Sequence, residues 1–250
     1  MQIARETEEG RVDGQALHIA DGVIGAPVAA LFAGVAVAGV AVCLARGRRA
    51  LDDRLAPMAG LVAAFVFAAQ MLNFPVLPGV SGHLVGGALA AMLVGPWVAA
   101  LCVSVVLVVQ ALVFADGGLS ALGLNLTNMA LVSTAAGYLV IAALLRVLPR
   151  TATGLAVTAF LASVASVVAA ALAFVGQFWI GGGVDLAAGP GQIAGTMAGV
   201  HVLIGAAEGL ITAVTVVTVA RVRPDLVYAL RGARLAGGTR PVPAAGGGAA

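Results

Sequence analysis

Residues 153–180 read TGLAVTAFLASVASVVAAALAFVGQFWI, without a single charged side chain. A helical membrane span needs about 20 apolar residues, and this stretch exceeds that. The same reading recurs at 26–45, 57–72, 84–95, 96–114, 121–145 and 193–220. The third stretch is short, and Pro96 directly after it predicts a break between two segments rather than one long helix. The chain therefore reads as all-α, a polytopic helical membrane protein with about seven transmembrane helices. Composition agrees: 61% of residues are hydrophobic and 10% charged, with mean hydropathy +1.08. A soluble domain would carry about 25% charged residues.

Charge placement sets an expected orientation. All thirteen basic residues are arginine. Arg46, Arg48, Arg49 and Arg54 lie between spans one and two, Arg146 and Arg150 between five and six, and Arg221 and Arg223 after seven. The other connections carry only Asp116 and Asp185. Cytoplasmic loops are the Arg-rich ones, which puts residues 17–25, 73–83, 115–120 and 181–192 outside and the C-terminus inside. The absence of lysine excludes a G-x-x-x-x-G-K-[ST] loop, so the chain is no ATPase of that kind. A net charge of +2 gives no sign of nucleic acid as a partner. Cys43 and Cys102 sit in apolar runs and read as small core residues.

Residues 1–16 are polar and lack an apolar core, so they are not a secretory signal. They read as a disordered extension or as absent from the mature protein. Residues 17–223 form the membrane domain. Residues 224–250 read as a disordered cytoplasmic tail, ending in PVPAAGGGAA. Ala59-xxx-Ala63 and Ala64-xxx-Ala68 present small faces suited to close helix approach, within the bundle or to another membrane subunit.

Two of the three histidines fall in polar, Gly- and Pro-rich segments at the expected outer surface: His18 in LHIADG and His83 after NFP and SG. Imidazole is the commonest protein ligand for transition metals. Two rings alone make a poor site. In a chain beginning at residue 17, however, the α-amine of Leu17, the amide nitrogen of His18 and its ring Nδ1 can chelate one ion in a plane. His83 would add a fourth nitrogen. Such coordination suits Ni(II), Cu(II) and Co(II). Pro75, Pro78, Gly79 and Gly82 suggest a tight loop around His83. Asp21, Asn73 and Ser81 are candidates for supporting hydrogen bonds. The alternative for both histidines is loop capping at the membrane surface. Asn125 and Asn128 either line a polar interior or tie helices together. His201 and Glu208, seven apart in span seven, share a helix face and read as a structural tie or a point on an ion path.

Several segments, in order, resemble the CbiM/NikM family: HIADGV at 18–23, FAAQMLNFPV at 67–76, SGHLVGG at 81–87, QALVFADGGL at 110–119 and HVLIGAAEGLIT at 201–212. These are substrate-capturing membrane components of energy-coupling-factor transporters for cobalt and nickel. The resemblance implies uptake of Co(II) or Ni(II) as cargo, with no permanent cofactor, for cobalamin synthesis or nickel enzymes. It implies a bacterial cell membrane, a transmembrane coupling subunit, cytosolic ATPase subunits and a small accessory membrane subunit. Family chains begin Met-His and bind the ion through that start and a loop histidine. The matching positions are residue 17, His18 and His83. The departure is Leu17 with sixteen residues before it, which suggests translation starting at residue 17. Two other readings compete. One is a stand-alone metal channel or secondary transporter, with Glu208 its sole membrane acid. The other is an intramembrane serine protease, in which Gly79-Val80-Ser81-Gly82 supplies a nucleophile and His201 a base.

Overall fold

A computed structural model describes residues 18–53, 55–71, 73–77, 80–182 and 189–231. Leu17 and the two terminal segments called disordered above lie outside the described residues, apart from 224–231. So do Arg54, Pro78, Gly79 and Asp185. The side chains of Asn73 and Ser81 are likewise outside the description, although both residues lie in strands.

Seven helical segments follow the expected order. They are α1 (Ala26–Gly47), α2 (Leu55–Gln70), α3 (Gly87–Val94), α4 (Pro96–Val113), α5 (Leu122–Val147), α6 (Ala152–Gly181) and α7 (Pro190–Val222). Among the described residues, five of these are long and apolar enough to cross a membrane; α2 is shorter, and α3 has only eight residues. Pro sits in the first turn of α1, α4 and α7, where its missing N–H costs nothing. Thr151 caps α6, its hydroxyl accepting from the Gly154 amide at 3.1 Å. In α5, residues Leu126–Val132 wind as a π-helix.

One reading is corrected. The 73–83 segment is a two-stranded antiparallel hairpin rather than a plain loop, with β1 (Asn73–Leu77) pairing β2 (Val80–His83) and Asn73 opposite His83. Main-chain groups near a membrane need partners, and pairing supplies them where no helix can continue.

The third crossing is only partly helical. Its eight-residue helix rises roughly 12 Å. Residues 84–86, which belong to neither helix nor strand, lead into it from β2. All of α3 is buried, and with α2, α4 and α6 it forms the middle of the main core. Contacts at the helix ends fix the path. The Gly25 amide donates to the Gly181 carbonyl at 2.7 Å, so the start of α1 meets the end of α6. The Gly118 amide donates to the Ile19 carbonyl at 3.0 Å, joining the α4–α5 loop to that end. At the far end Gly47 approaches Leu101 and Trp97, and Gly95 lies against the Tyr228 ring. Among the described residues the bundle thus has two ends, with His18 at one and Arg223 at the other.

Large apolar side chains such as Leu31, Leu61, Leu112, Leu139, Leu203 and Val222 are exposed, as lipid-facing residues are. Cys43 and Cys102 are free and buried. Ala59 and Ala63 pack partly against the core, whereas Ala64 and Ala68 are exposed. Other glycines bring helices closer. A methyl group at Gly205 would lie 2.8 Å from Val164 Cα, and one at Gly209 would lie 2.9 Å from the Phe160 carbonyl oxygen. These glycines, four apart, bring the α6 and α7 backbones together.

Buried polar side chains tie the bundle. Asn128 and Gln177 exchange two hydrogen bonds: Asn128 Nδ2 donates to Gln177 Oε1 at 2.8 Å, and Gln177 Nε2 donates to Asn128 Oδ1 at 2.7 Å. Asn128→Leu strands the Gln177 carboxamide in apolar surroundings, a loss of about 1–2 kcal/mol. We expect a lower Tm for that variant in detergent. Adding Gln177→Leu should recover most of the loss, because the orphaned amide is then gone.

Candidate metal centre

His18 and His83 meet. They come from the segment before α1 and from the end of β2, and their ring centroids are 4.7 Å apart at an interplanar angle of 53°. The His18 ring is almost fully buried, and His83 is half-buried.

The segment carrying His18 is locked to the α4–α5 loop. Asn125, at the start of α5, grips one residue from both sides: the Ile19 amide donates to Asn125 Oδ1 at 3.1 Å, and Asn125 Nδ2 donates to the Ile19 carbonyl at 3.3 Å. The Ser120 amide donates to Asp21 Oδ1 at 2.9 Å, and its hydroxyl donates to the same oxygen. These bonds, hydroxyl first, hold the Asp21 carboxyl below its usual 3.8 although it is exposed. Asp21 therefore stays ionised. Gly117 adopts φ +88°, and a Cβ there would crowd His18 Cβ at 2.8 Å. Gly118 leaves no room for a Cβ beside the Asp21 backbone and carboxylate.

Asp116 was read only as a loop charge, yet it lies beside the site. Its Oδ1 is 3.1 Å from His18 Nδ1, close enough for attraction but not aligned as a hydrogen bond. His18 Nε2 has no hydrogen-bond partner among the described residues. Residues 18–25 and 114–121 carry Asp21 and Asp116 and no arginine, so this end attracts cations.

His83 Nδ1 lies 2.8 Å from the Leu84 carbonyl. A carbonyl only accepts, so this contact calls for the proton on Nδ1; in the neutral ring the lone pair that binds metals is then on Nε2. Behind it, Glu208 on α7 is fully buried, and its Oε2 accepts from the Val85 amide at 2.6 Å and the Gly86 amide at 3.1 Å. Gln70, the last residue of α2, donates from Nε2 to the Val85 carbonyl at 2.8 Å. His201 lies apart from this network, with Nδ1 2.7 Å from the Met197 carbonyl one turn back on its own helix. Thus His201 and Glu208 share a helix without sharing a partner, and Asn128 bonds Gln177 rather than the centre. Among the described residues, no three His, Cys, Asp or Glu side chains gather as a ready cluster. A metal held by His18 and His83 would need main-chain or terminal donors as well.

A profile of the CbiM family, described as the cobalt uptake substrate-specific transmembrane region, matches residues 18–226. The chain belongs to the CbiM family. A putative fused nickel transport protein NikMN of Archaeoglobus fulgidus is 42% identical over 218 residues, covering 84% of this chain and 68% of that one. A cobalt transport protein CbiM of Sorangium cellulosum is 33% identical over 236 residues, covering 89% and 99%. A crystal structure of a transition metal transporter superposes with TM-score 0.71 at 26% identity, covering 82% of this chain and 93% of that one. This CbiM-family chain is thus a multi-pass membrane protein with metal-transport relatives.

Gln70, Asp116 and Ser120 escaped the sequence reading as site residues. Gln70 and Asp116 lie within the segments that carry the family resemblance, a signal that was present without a role attached. Asn125→Leu removes both bonds to Ile19. We expect the Ile19 amide to exchange about tenfold faster or more, as the loss of 1.4 kcal/mol or more implies, with amides of α6 unchanged. Hydrogen exchange read by mass spectrometry checks this.

Proposed function

We propose that this chain captures Co(II) or Ni(II) at the His18 end and delivers it into an ATP-driven energy-coupling-factor importer. The observation that carries the reading is the meeting of two imidazoles from distant segments at one end of the bundle. His83 offers Nε2, and His18 brings its ring and amide. In the CbiM-family pattern, the α-amine of residue 17, the His18 amide and His18 Nδ1 complete a planar set of nitrogens with His83. Such a set favours Ni(II) and Co(II) over Mg(II) and Ca(II), which prefer oxygen. The family match opening at residue 18 supports a mature chain whose first residue stands at position 17. Chelation through His18 Nδ1 exchanges the nearby Asp116 carboxylate for the ion. Asp21, Asn73 and Ser81 support the site from the N-terminal segment and the hairpin.

The metal end faces outside and the Arg223 end the cytoplasm of a bacterial cell, following the arginine distribution. A chain without a phosphate-binding lysine relies on cytosolic ATPase subunits reached through a transmembrane coupling subunit, and it works with a small accessory membrane subunit. The names of the relatives favour transport over proteolysis by Ser81 and His201. End use in cobalamin synthesis or in nickel enzymes fits either cargo.

His18→Ala and His83→Ala should each abolish tight Ni(II) and Co(II) binding by the detergent-solubilised protein while leaving its Tm within a few degrees. Stoichiometric binding by either variant would sink the site. The mass and N-terminal sequence of the protein made from its own gene test the chelate. A start at position 17 with Met followed by His18 supports it, and a retained residue 1 rules it out.

A further inference from the structure

The hydrogen bonds around His83 share their peptide groups. The Leu84 carbonyl, which accepts from His83 Nδ1, and the Val85 amide, which donates to Glu208, are opposite edges of one planar peptide unit. The following unit is held the same way: its Val85 carbonyl accepts from Gln70 Nε2 and its Gly86 amide donates to Glu208 Oε2. Two successive peptide planes are therefore pinned by one carboxylate from α7 and one carboxamide from α2. Both side chains are inaccessible, Gln70 at 0% and Glu208 at 2% exposure. Gly86 takes φ +80°, and a Cβ there would meet both Val66 γ-methyls at 2.9 Å, so the backbone has one tight path.

We propose that Glu208 and Gln70 are positioning residues for His83, acting through these two peptides. Glu208 fixes the plane of the Leu84–Val85 peptide and so the point at which the Leu84 oxygen receives the imidazole proton. A carboxylate on the amide edge also polarises the peptide and deepens the negative charge on that oxygen, because linked hydrogen bonds strengthen one another. Both effects favour the tautomer with the proton on Nδ1 and make Nε2 a better donor to a metal. A histidine ligand is ordinarily oriented by a carboxylate or a carbonyl. Here a carboxylate does so at one remove, through a peptide bond. Gln70 prevents the next peptide from rotating and dragging the first with it.

The inference rests on His83 being a metal ligand, and the experiment separates the two claims. The full chain, made from its own gene and labelled with 15N-histidine, is purified metal-free. With only three histidines, single His→Ala variants assign the imidazole signals. His83 should show the Nδ1–H tautomer in wild type. Glu208→Ala and Gln70→Met should each shift it toward a mixture, the latter by leaving the Val85 carbonyl without its donor. Glu208→Gln, which still offers an oxygen to both amides, should retain the tautomer. Titration with Ni(II) should show about tenfold or greater loss of affinity for Glu208→Ala and Gln70→Met, the range usual when a ligand's supporting partner is lost. Glu208→Gln should stay within about threefold of wild type. A shifted tautomer without nickel binding in wild type upholds the positioning and removes the metal role. An unchanged His83 tautomer in both Glu208→Ala and Gln70→Met overturns the positioning whatever nickel does. Should Glu208→Ala fail to fold, Gln70→Met decides alone, because it nearly keeps the side chain's size and shape and removes its donor.

Discussion

A backbone inside a membrane bundle must find partners for every N–H and C=O, and an unpaired group there costs several kcal/mol. Helices solve this internally. The stretch between β2 and α3 cannot, because its residues belong to neither helix nor strand and lead into a fully buried helix. Side chains must do for 84–86 what the next turn does for a helix, and Glu208 and Gln70 are those side chains. Much else follows from that one demand. α7 must lie close enough for a glutamate to reach α3, and the Gly205 and Gly209 contacts with α6 permit it. The hairpin must end at a fixed place, and His83 ends it.

The two histidines are held by different means. His18 belongs to a surface segment stitched to the α4–α5 loop by Asn125, Asp21 and Ser120. His83 hangs from the interior of the bundle. One ligand is thus placed by loop-to-loop bonds and the other by the membrane core, and their rings meet at the boundary between the two.

Much of this was legible in the sequence, and the reasons for the rest are physical. Span positions follow from apolar runs, since the bilayer imposes them directly, and the order of seven segments emerged with it. The Pro96 break was readable because proline cannot continue a helix. The pairing of β1 with β2 was not, since a segment with two prolines and two glycines signals a turn more strongly than a strand. His18 and His83 stood out by rarity and polar surroundings. That they touch is a fact of packing, which no spacing between residues 18 and 83 encodes. Glu208 drew notice as a lone acid in a span, but its partners are backbone amides, which leave no mark in the sequence. Gln70 drew none, because one amide at the end of an apolar run looks like a surface residue until the neighbouring chain is in place.

The dependence of the Leu84–Val85 peptide on Glu208 also sets an order in time. The chain is made from its N-terminus, so His18 and His83 emerge long before residue 208. Until α7 has entered the bundle, the amides of Val85 and Gly86 lack their carboxylate. A nascent chain already exposing both imidazoles therefore holds them unaligned. Insertion of the last helix completes the fold and, in the same event, brings His83 into register.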